Sequence, residues 1–101
     1  EVVARFGPLP PRELPRFAEI DYAERVFRDH VLAELAPDVA LIWFNEPDTS
    51  FHYRFLGSAE TLSVLKAADA AFGRILAWID AQAGSERYTV IAASDHGQIS
   101  M

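Results

Sequence analysis

The sequence has no cysteine, few basic residues and no long apolar run. Without cysteine, the chain has neither a disulfide framework nor a thiolate metal site. Its 15 acidic residues outnumber its 9 basic ones, and the formal net charge of −6 argues against nucleic-acid binding through a broad basic surface. No apolar run approaches the length of a membrane span, and no targeting pattern is present in this stretch. These absences leave the cellular compartment and the oligomeric state open.

Apolar residues are plentiful, since they occupy half of the 101 positions and suffice for one modest core. The first 17 residues differ from the rest because they hold four of the six prolines. Prolines at this density exclude a regular helix or a central strand. We interpret residues 1–17 as a proline-rich connector or insertion, with a proline-motif ligand for a partner domain as the alternative. Residues 18–101 then form a domain or part of one.

The pattern of apolar residues beyond this connector predicts an α/β fold. Spacings of three and four indicate helices, whereas continuous short apolar runs are typical of parallel strands covered on both faces. Pro37 ends the first helix, and Ser58 is a favoured N-cap for the second. Strand, helix and strand in succession predict a right-handed βαβ unit. The predicted elements are a helix over about 20–35, a strand over 39–44, a helix over 59–83 and a strand over 88–93.

Two sets of apolar residues lie along the predicted helix 59–83. The first forms a single stripe of Leu62, Leu65, Phe72, Leu76 and Ile79. The second broadens that stripe and consists of Val64, Ala68, Ala71, Ile75 and Trp78. A face of this width suits packing on a sheet. Asp69 falls on the first stripe, where a buried carboxylate needs a hydrogen-bond partner.

Two acid–histidine pairs follow the predicted strands and carry the main functional signal. Asp48 and His52 are four residues apart, a spacing that places both side chains on one face of a helical turn. Asp95 and His96 are adjacent, so the chain must bend for both to face one ion, and Gly97 makes a bend easier. Ligands bind at the carboxyl ends of parallel strands. Carboxylate and imidazole are ligands that zinc accepts, and the sequence therefore predicts a metal site there.

Another adjacent Asp-His pair, Asp29-His30, lies within the predicted helix 20–35. Adjacent helical residues diverge by about 100° around the axis, so this pair does not share a face. We interpret His30 as a solvated surface histidine.

Three segments taken together resemble the type I phosphodiesterase/nucleotide pyrophosphatase family of the alkaline phosphatase superfamily. They are 45–52 (Asn-Glu-Pro-Asp-Thr-Ser-Phe-His), 66–69 (Lys-Ala-Ala-Asp) and 90–97 (Val-Ile-Ala-Ala-Ser-Asp-His-Gly). The resemblance covers about residues 38–100, and the order of the two acid–histidine motifs makes it specific. It implies that residues 18–101 are a portion of a metal-dependent phosphodiesterase or phosphatase catalytic domain, with part of an alkaline-phosphatase-like core.

The resemblance also implies a ligand set. Asp48 and His52 would ligate one zinc ion, and Asp95 and His96 would ligate a second. The family's nucleophile, a further aspartate and a third histidine match nothing here and are expected outside this stretch. The implied function is hydrolysis of phosphodiester or pyrophosphate bonds in a phosphate-ester small molecule, as part of a larger enzyme, and this stretch alone is expected to be inactive.

Departures from the family pattern leave the substrate open. Thr49 and Ser50 do not match the position of the family's nucleophile. Phe51 stands where a small glycine is common, and Gln98 replaces a frequent methionine. Two alternatives remain: another superfamily hydrolase, such as a phosphomonoesterase, phosphonate hydrolase or sulfatase, and a non-catalytic α/β fragment with incidental acid–histidine pairs.

Overall fold

The computed structural model describes residues 1–99, and more than half of them are helical. A π-helix continues α2 without a break, and a single 3-10 turn follows α4. The helices are α1 (Val2–Phe6), α2 (Phe17–Val26), the π-helix (Phe27–Leu35), α3 (Asp48–Arg54), α4 (Ala59–Asp80) and the 3-10 turn (Ser85–Arg87).

The predicted βαβ unit is wrong, because residues 1–99 contain no strand. Segments 39–44 and 88–93 have no regular secondary structure, and no backbone hydrogen bond joins them within the described range. Val39 and Ile91 are 87% and 84% exposed. An apolar run favours burial, but a strand also needs a neighbour for its N–H and C=O groups, and two strands alone are marginal in water. Neither segment has that neighbour here.

The two predicted helices are present. Residues 20–35 lie within α2 and the π-helix, which ends where Ala36 adopts a left-handed conformation just before Pro37. Residues 59–83 correspond to α4, which stops at Asp80. The Ser58 hydroxyl caps α4 by accepting a hydrogen bond from the backbone N–H of Thr61 at 3.2 Å. These helices form without a sheet because the backbone hydrogen bonds of a helix are made within the helix itself.

Residues 1–17 differ in part from the expected irregular connector. The short helix α1 forms at the start, before the first proline at position 8, so the proline restriction does not reach it. It ends at Gly7, whose φ of 90° is accessible to glycine. The Tyr22 hydroxyl donates a hydrogen bond to the Gly7 carbonyl at 2.8 Å and fastens this end to α2.

The core lies between α2 and α4. Ile20 from α2 packs with Val64 and Ala71 from α4, and Phe44 covers the edge of this cluster. Most of the buried apolar residues of α4 belong to the second apolar set; Ile79 of the first set is also buried, whereas Leu65 is half-exposed.

An ion-pair network reinforces the contact between α2 and α4. The carboxylate of Glu24 is buried, and it lies 2.9 Å from Arg28 Nε and 3.1 Å from Arg74 Nε. Arg74 also reaches Asp21 at 3.0 Å. One acid on α2 thus joins the π-helix and α4.

No helix within residues 1–99 combines the length and the apolar character that crossing a bilayer requires.

Candidate metal site

The first acid–histidine pair lies on α3. Asp48 is the first residue of this helix and His52 is the fifth, so the two side chains are one turn apart on the same face. His52 Nε2 lies 3.3 Å from Asp48 Oδ2. The spacing predicted from the sequence is therefore realised by a short helix.

The second pair lies in an irregular segment after residue 93, with a bend at Asp95. The Ser94 hydroxyl donates to the His96 carbonyl at 2.6 Å, and His96 Nδ1 donates to the Gly97 carbonyl at 2.9 Å. These local bonds turn the His96 ring so that Nε2 faces the carboxylates. The bend expected from adjacent ligands is present, although no strand precedes it.

Asp48 connects the two pairs. His96 Nε2 lies 3.4 Å from Asp48 Oδ1 and 3.8 Å from Asp95 Oδ1. The Gln98 side-chain amide also donates a hydrogen bond to Asp48 Oδ1. The four residues singled out from the sequence thus form one connected group, with Asp48 at its centre.

The charges around His96 favour its protonated form. Its hydrogen bond to the Gly97 carbonyl raises the pKa of the imidazole, and the negative charges of Asp95 and Asp48 raise it further. Burial of the half-exposed ring lowers the pKa by less than the Gly97 bond or Asp95 raises it, and Asp48 makes the smallest contribution. The metal-free imidazole of His96 therefore stays protonated to a higher pH than the imidazole of an isolated histidine.

The donor set fits zinc chemically. Ligands bound to zinc at about 2.0–2.1 Å in a tetrahedron lie about 3.3 Å from each other. The His52–Asp48 separation of 3.3 Å matches that spacing, whereas His96 and Asp95, the pair assigned to the second ion, lie 3.8 Å apart. Across residues 1–99, however, no group of three or more histidine and acidic side chains has an arrangement that could hold a metal ion. The described part of the chain supplies donor pairs rather than a complete ligand sphere.

A cleft of about 500 Å³ adjoins this group. Its polar lining includes Asp48, Asp95, His96 and Gln98. Its apolar lining is formed mainly by Trp43, Phe44, Phe51, Leu56 and Leu65.

The residues of α3 next to the acid–histidine pair have separate partners. The Ser50 hydroxyl is fully buried and donates to Glu46, and the Thr49 hydroxyl donates to the Asn45 carbonyl at 3.1 Å. Arg54 pairs with Glu60 at 3.2 Å, away from the histidines.

Two sequence interpretations away from this group need correction. His30 is partly buried rather than fully solvated: it pairs with Glu34 at 2.9 Å and lies edge-on to Phe6. Asp69 is exposed, so it needs no buried partner. Phe6 of α1 covers part of the His30 ring, whereas Asp69 lies on a part of α4 that remains open to solvent.

Sequence reasoning missed Glu46. Its side chain is 3% exposed, and its carboxylate accepts three hydrogen bonds. They come from the Arg16 backbone N–H at 3.2 Å, the Ser50 backbone N–H at 3.0 Å and the Ser50 hydroxyl at 3.1 Å. The available signal was an acidic residue immediately before the proline that precedes a short helix.

A sequence model of the type I phosphodiesterase / nucleotide pyrophosphatase family matches residues 10–101. The match spans both acid–histidine pairs and extends towards the N-terminus beyond the motifs at 38–100. The chain therefore belongs to this family of hydrolases, which act on phosphate esters. Comparisons with curated proteins and with solved structures gave no match.

Proposed function

We propose that this chain contributes part of a binuclear zinc site to an enzyme that hydrolyses phosphodiester or pyrophosphate bonds. The supporting observation is the connected group around Asp48, in which both histidines lie within 3.4 Å of the Asp48 carboxylate and Asp95 lies 3.8 Å from His96. Membership of the phosphodiesterase family supports the reaction class.

Each side chain has a defined role in this proposal. Asp48 and His52 hold one metal ion, and Asp95 and His96 hold the other. Zinc supplies Lewis-acid chemistry at such a site, because it stabilises the negative charge that develops on phosphoryl oxygens. The nucleophile and the remaining ligands lie outside these 101 residues in our proposal, so this stretch alone does not turn over substrate.

One observation favours a second candidate, a non-catalytic module with incidental acid–histidine pairs. Within the described residues, the donors do not form a group of three that could hold an ion. The two candidates differ in what Asp95 does, since only the enzyme requires its carboxylate for activity.

Hydrolysis of a chromogenic aryl phosphodiester tests the proposal. The protein is the longest natural chain that contains this sequence, assayed with added zinc as wild type and as Asp95→Ala. Asp80→Ala, at the exposed end of α4, is the matched control. We expect Asp95→Ala to lose about 100-fold or more in kcat/KM, since a metal ligand is removed. Equal activity of Asp95→Ala and wild type would favour the non-catalytic module.

A further inference from the structure

We infer that Glu46 is a positioning residue that fixes the metal-binding face of α3. The inference rests on the proposed function, because the face in question is the one that carries Asp48 and His52. Glu46 itself does not approach the histidines; it acts on them through the backbone and side chain of Ser50 and through the backbone of Arg16.

Both oxygens of the Glu46 carboxylate accept hydrogen bonds. Glu46 is 3% exposed, and burial of a polar group away from water is costly unless hydrogen-bond donors surround it. Three donors surround it, two from Ser50 and one from the Arg16 backbone. This arrangement satisfies both carboxylate oxygens, because Oε2 accepts from the Ser50 N–H and Oε1 accepts from the other two donors.

The Glu46 side chain caps the N-terminus of α3, although Glu46 lies one residue before the N-cap position. Pro47 occupies the N-cap position and has no side-chain acceptor, so it makes no capping hydrogen bond. The first N–H groups of a helix have no partner within the helix, and an acidic side chain is also favoured there by the helix dipole. Glu46 supplies the missing acceptor at Ser50, two residues beyond Asp48. A helix of only 7 residues is too short to persist by its own backbone bonds.

The hydrogen bond from the Arg16 backbone N–H to Glu46 also connects the start of α3 to the start of α2. Arg16 immediately precedes α2, and α2 packs against α4 to form the core. Through Glu46, the start of α3 is therefore tied to the layer that contains the core. Because Asp48 is the centre of the acid–histidine group, a shift of α3 would move it relative to His96 as well as His52.

The closing experiment measures zinc affinity and ligand geometry rather than turnover. The variants Glu46→Ala and Glu46→Gln are made in the longest natural chain that contains this sequence. Glu86→Gln is the control, since it removes one negative charge from an exposed residue of the 3-10 turn. Zinc dissociation constants come from competition with a chromophoric chelator. Absorption of the cobalt(II)-substituted protein reports the ligand geometry, and the metal-free melting temperature reports folding.

We expect Glu46→Ala to weaken zinc binding about 10- to 100-fold, the usual effect of losing a group that orients metal ligands. The cobalt(II) spectrum should change with it. Glu46→Gln keeps an acceptor oxygen but presents an NH2 group to the remaining donors, so its loss should be smaller and in the same direction. Glu86→Gln should match the wild type.

Two results would overturn the inference in distinguishable ways. Wild-type zinc affinity and an unchanged cobalt(II) spectrum in a folded Glu46 variant would show that Glu46 stabilises the fold without positioning the ligands, and the proposed function would stand. If Glu46→Ala does not fold, Glu46→Gln decides by the same criterion. A wild-type chain that takes up neither zinc nor cobalt(II) would overturn both proposals, since there would be no ligands to position.

Discussion

The segments 39–44 and 88–93 are more apolar in sequence than the α2–α4 layer, yet the layer contains the core and the segments are largely exposed. In the layer, Val64 is completely buried and an ion-pair network surrounds Glu24. In the segments, Val39 is 87% exposed and no backbone pairing joins the two stretches within residues 1–99. A helix closes its own hydrogen bonds, so an amphipathic pattern needs only one packing partner, whereas a strand needs pairing at its edges and cover on its faces.

The candidate metal site lies at the border between these two regions. Asp48 and His52 are carried by α3, which Glu46 ties to the start of α2. Asp95 and His96 belong to the irregular stretch after 88–93 and reach α3 mainly through Asp48. One half of the site thus rests on the packed layer, and the other half depends on a segment that the described residues leave uncovered.

The largest effect on stability is expected from Glu24→Ala. This change removes the buried acceptor that Arg28 and Arg74 share, although both arginines stay partly exposed to water. Loss of a hydrogen bond to a charged group costs about 1.5–3 kcal/mol, and the lost buried methylene adds about 0.8 kcal/mol, so a total of about 3 kcal/mol is expected. Urea unfolding of this variant should show that loss, with the exposed Glu86→Ala as control. A loss below about 1 kcal/mol, the range of surface pairs, would mean that the network does not hold α2 on α4.

The most direct test of the comparison makes the same substitution in both regions. Val64→Ala removes two methyl groups from the core and should lower the free energy of unfolding by about 2 kcal/mol. Val39→Ala removes the same atoms from an exposed position and should stay within about 0.5 kcal/mol. Urea unfolding of the two variants side by side gives both numbers. Equal losses would contradict the exposure of segment 39–44.

These contrasts explain which sequence predictions succeeded. The helices over 20–35 and 59–83, and the Ser58 cap, depend on residues within four positions of each other, which sequence patterns report well. The strands depended on pairing between distant segments and were wrong. The predicted core face of helix 59–83 combined both apolar sets for packing on a sheet. Without a sheet the buried face is narrower, and Leu65 of the first set is half-exposed.

In the candidate site, too, a contact between nearby residues was predicted from the sequence, whereas a hydrogen bond between distant residues was missed. The sequence spacing brought Asp48 and His52 together on one helical turn, and the bend near Gly97 was expected for Asp95 and His96. Their role as metal ligands stays a prediction. The sequence offered only a local signal for Glu46, an acidic residue before Pro47; its hydrogen bond to the backbone of Arg16, thirty residues earlier, depends on the fold.

The smallest expected effect is a shift in the titration of His96. Its pKa should lie above the ordinary histidine value, and Asp95→Asn should lower it by removing one of the charges that raise it. Because the folded-state pKa is raised, its contribution to stability is complete below the unfolded-state pKa and is lost as the pH rises through the folded-state pKa. NMR titration of the histidine ring signals in the metal-free protein measures the His96 pKa in the wild type and in Asp95→Asn. A wild-type pKa at or below the ordinary value would contradict the contacts of His96 with Gly97, Asp95 and Asp48.

Metal content measured by mass spectrometry tests the central claim most directly. The longest natural chain that contains this sequence is incubated with zinc, freed of excess metal and compared with its Asp48→Ala and Asp95→Ala variants, with Asp80→Ala as control. We predict two zinc ions per wild-type and control chain, and the loss of one ion in each of the other variants. Absence of bound zinc in the wild-type chain would contradict the proposed binuclear site, and the acid–histidine group would then be a local arrangement without metal chemistry.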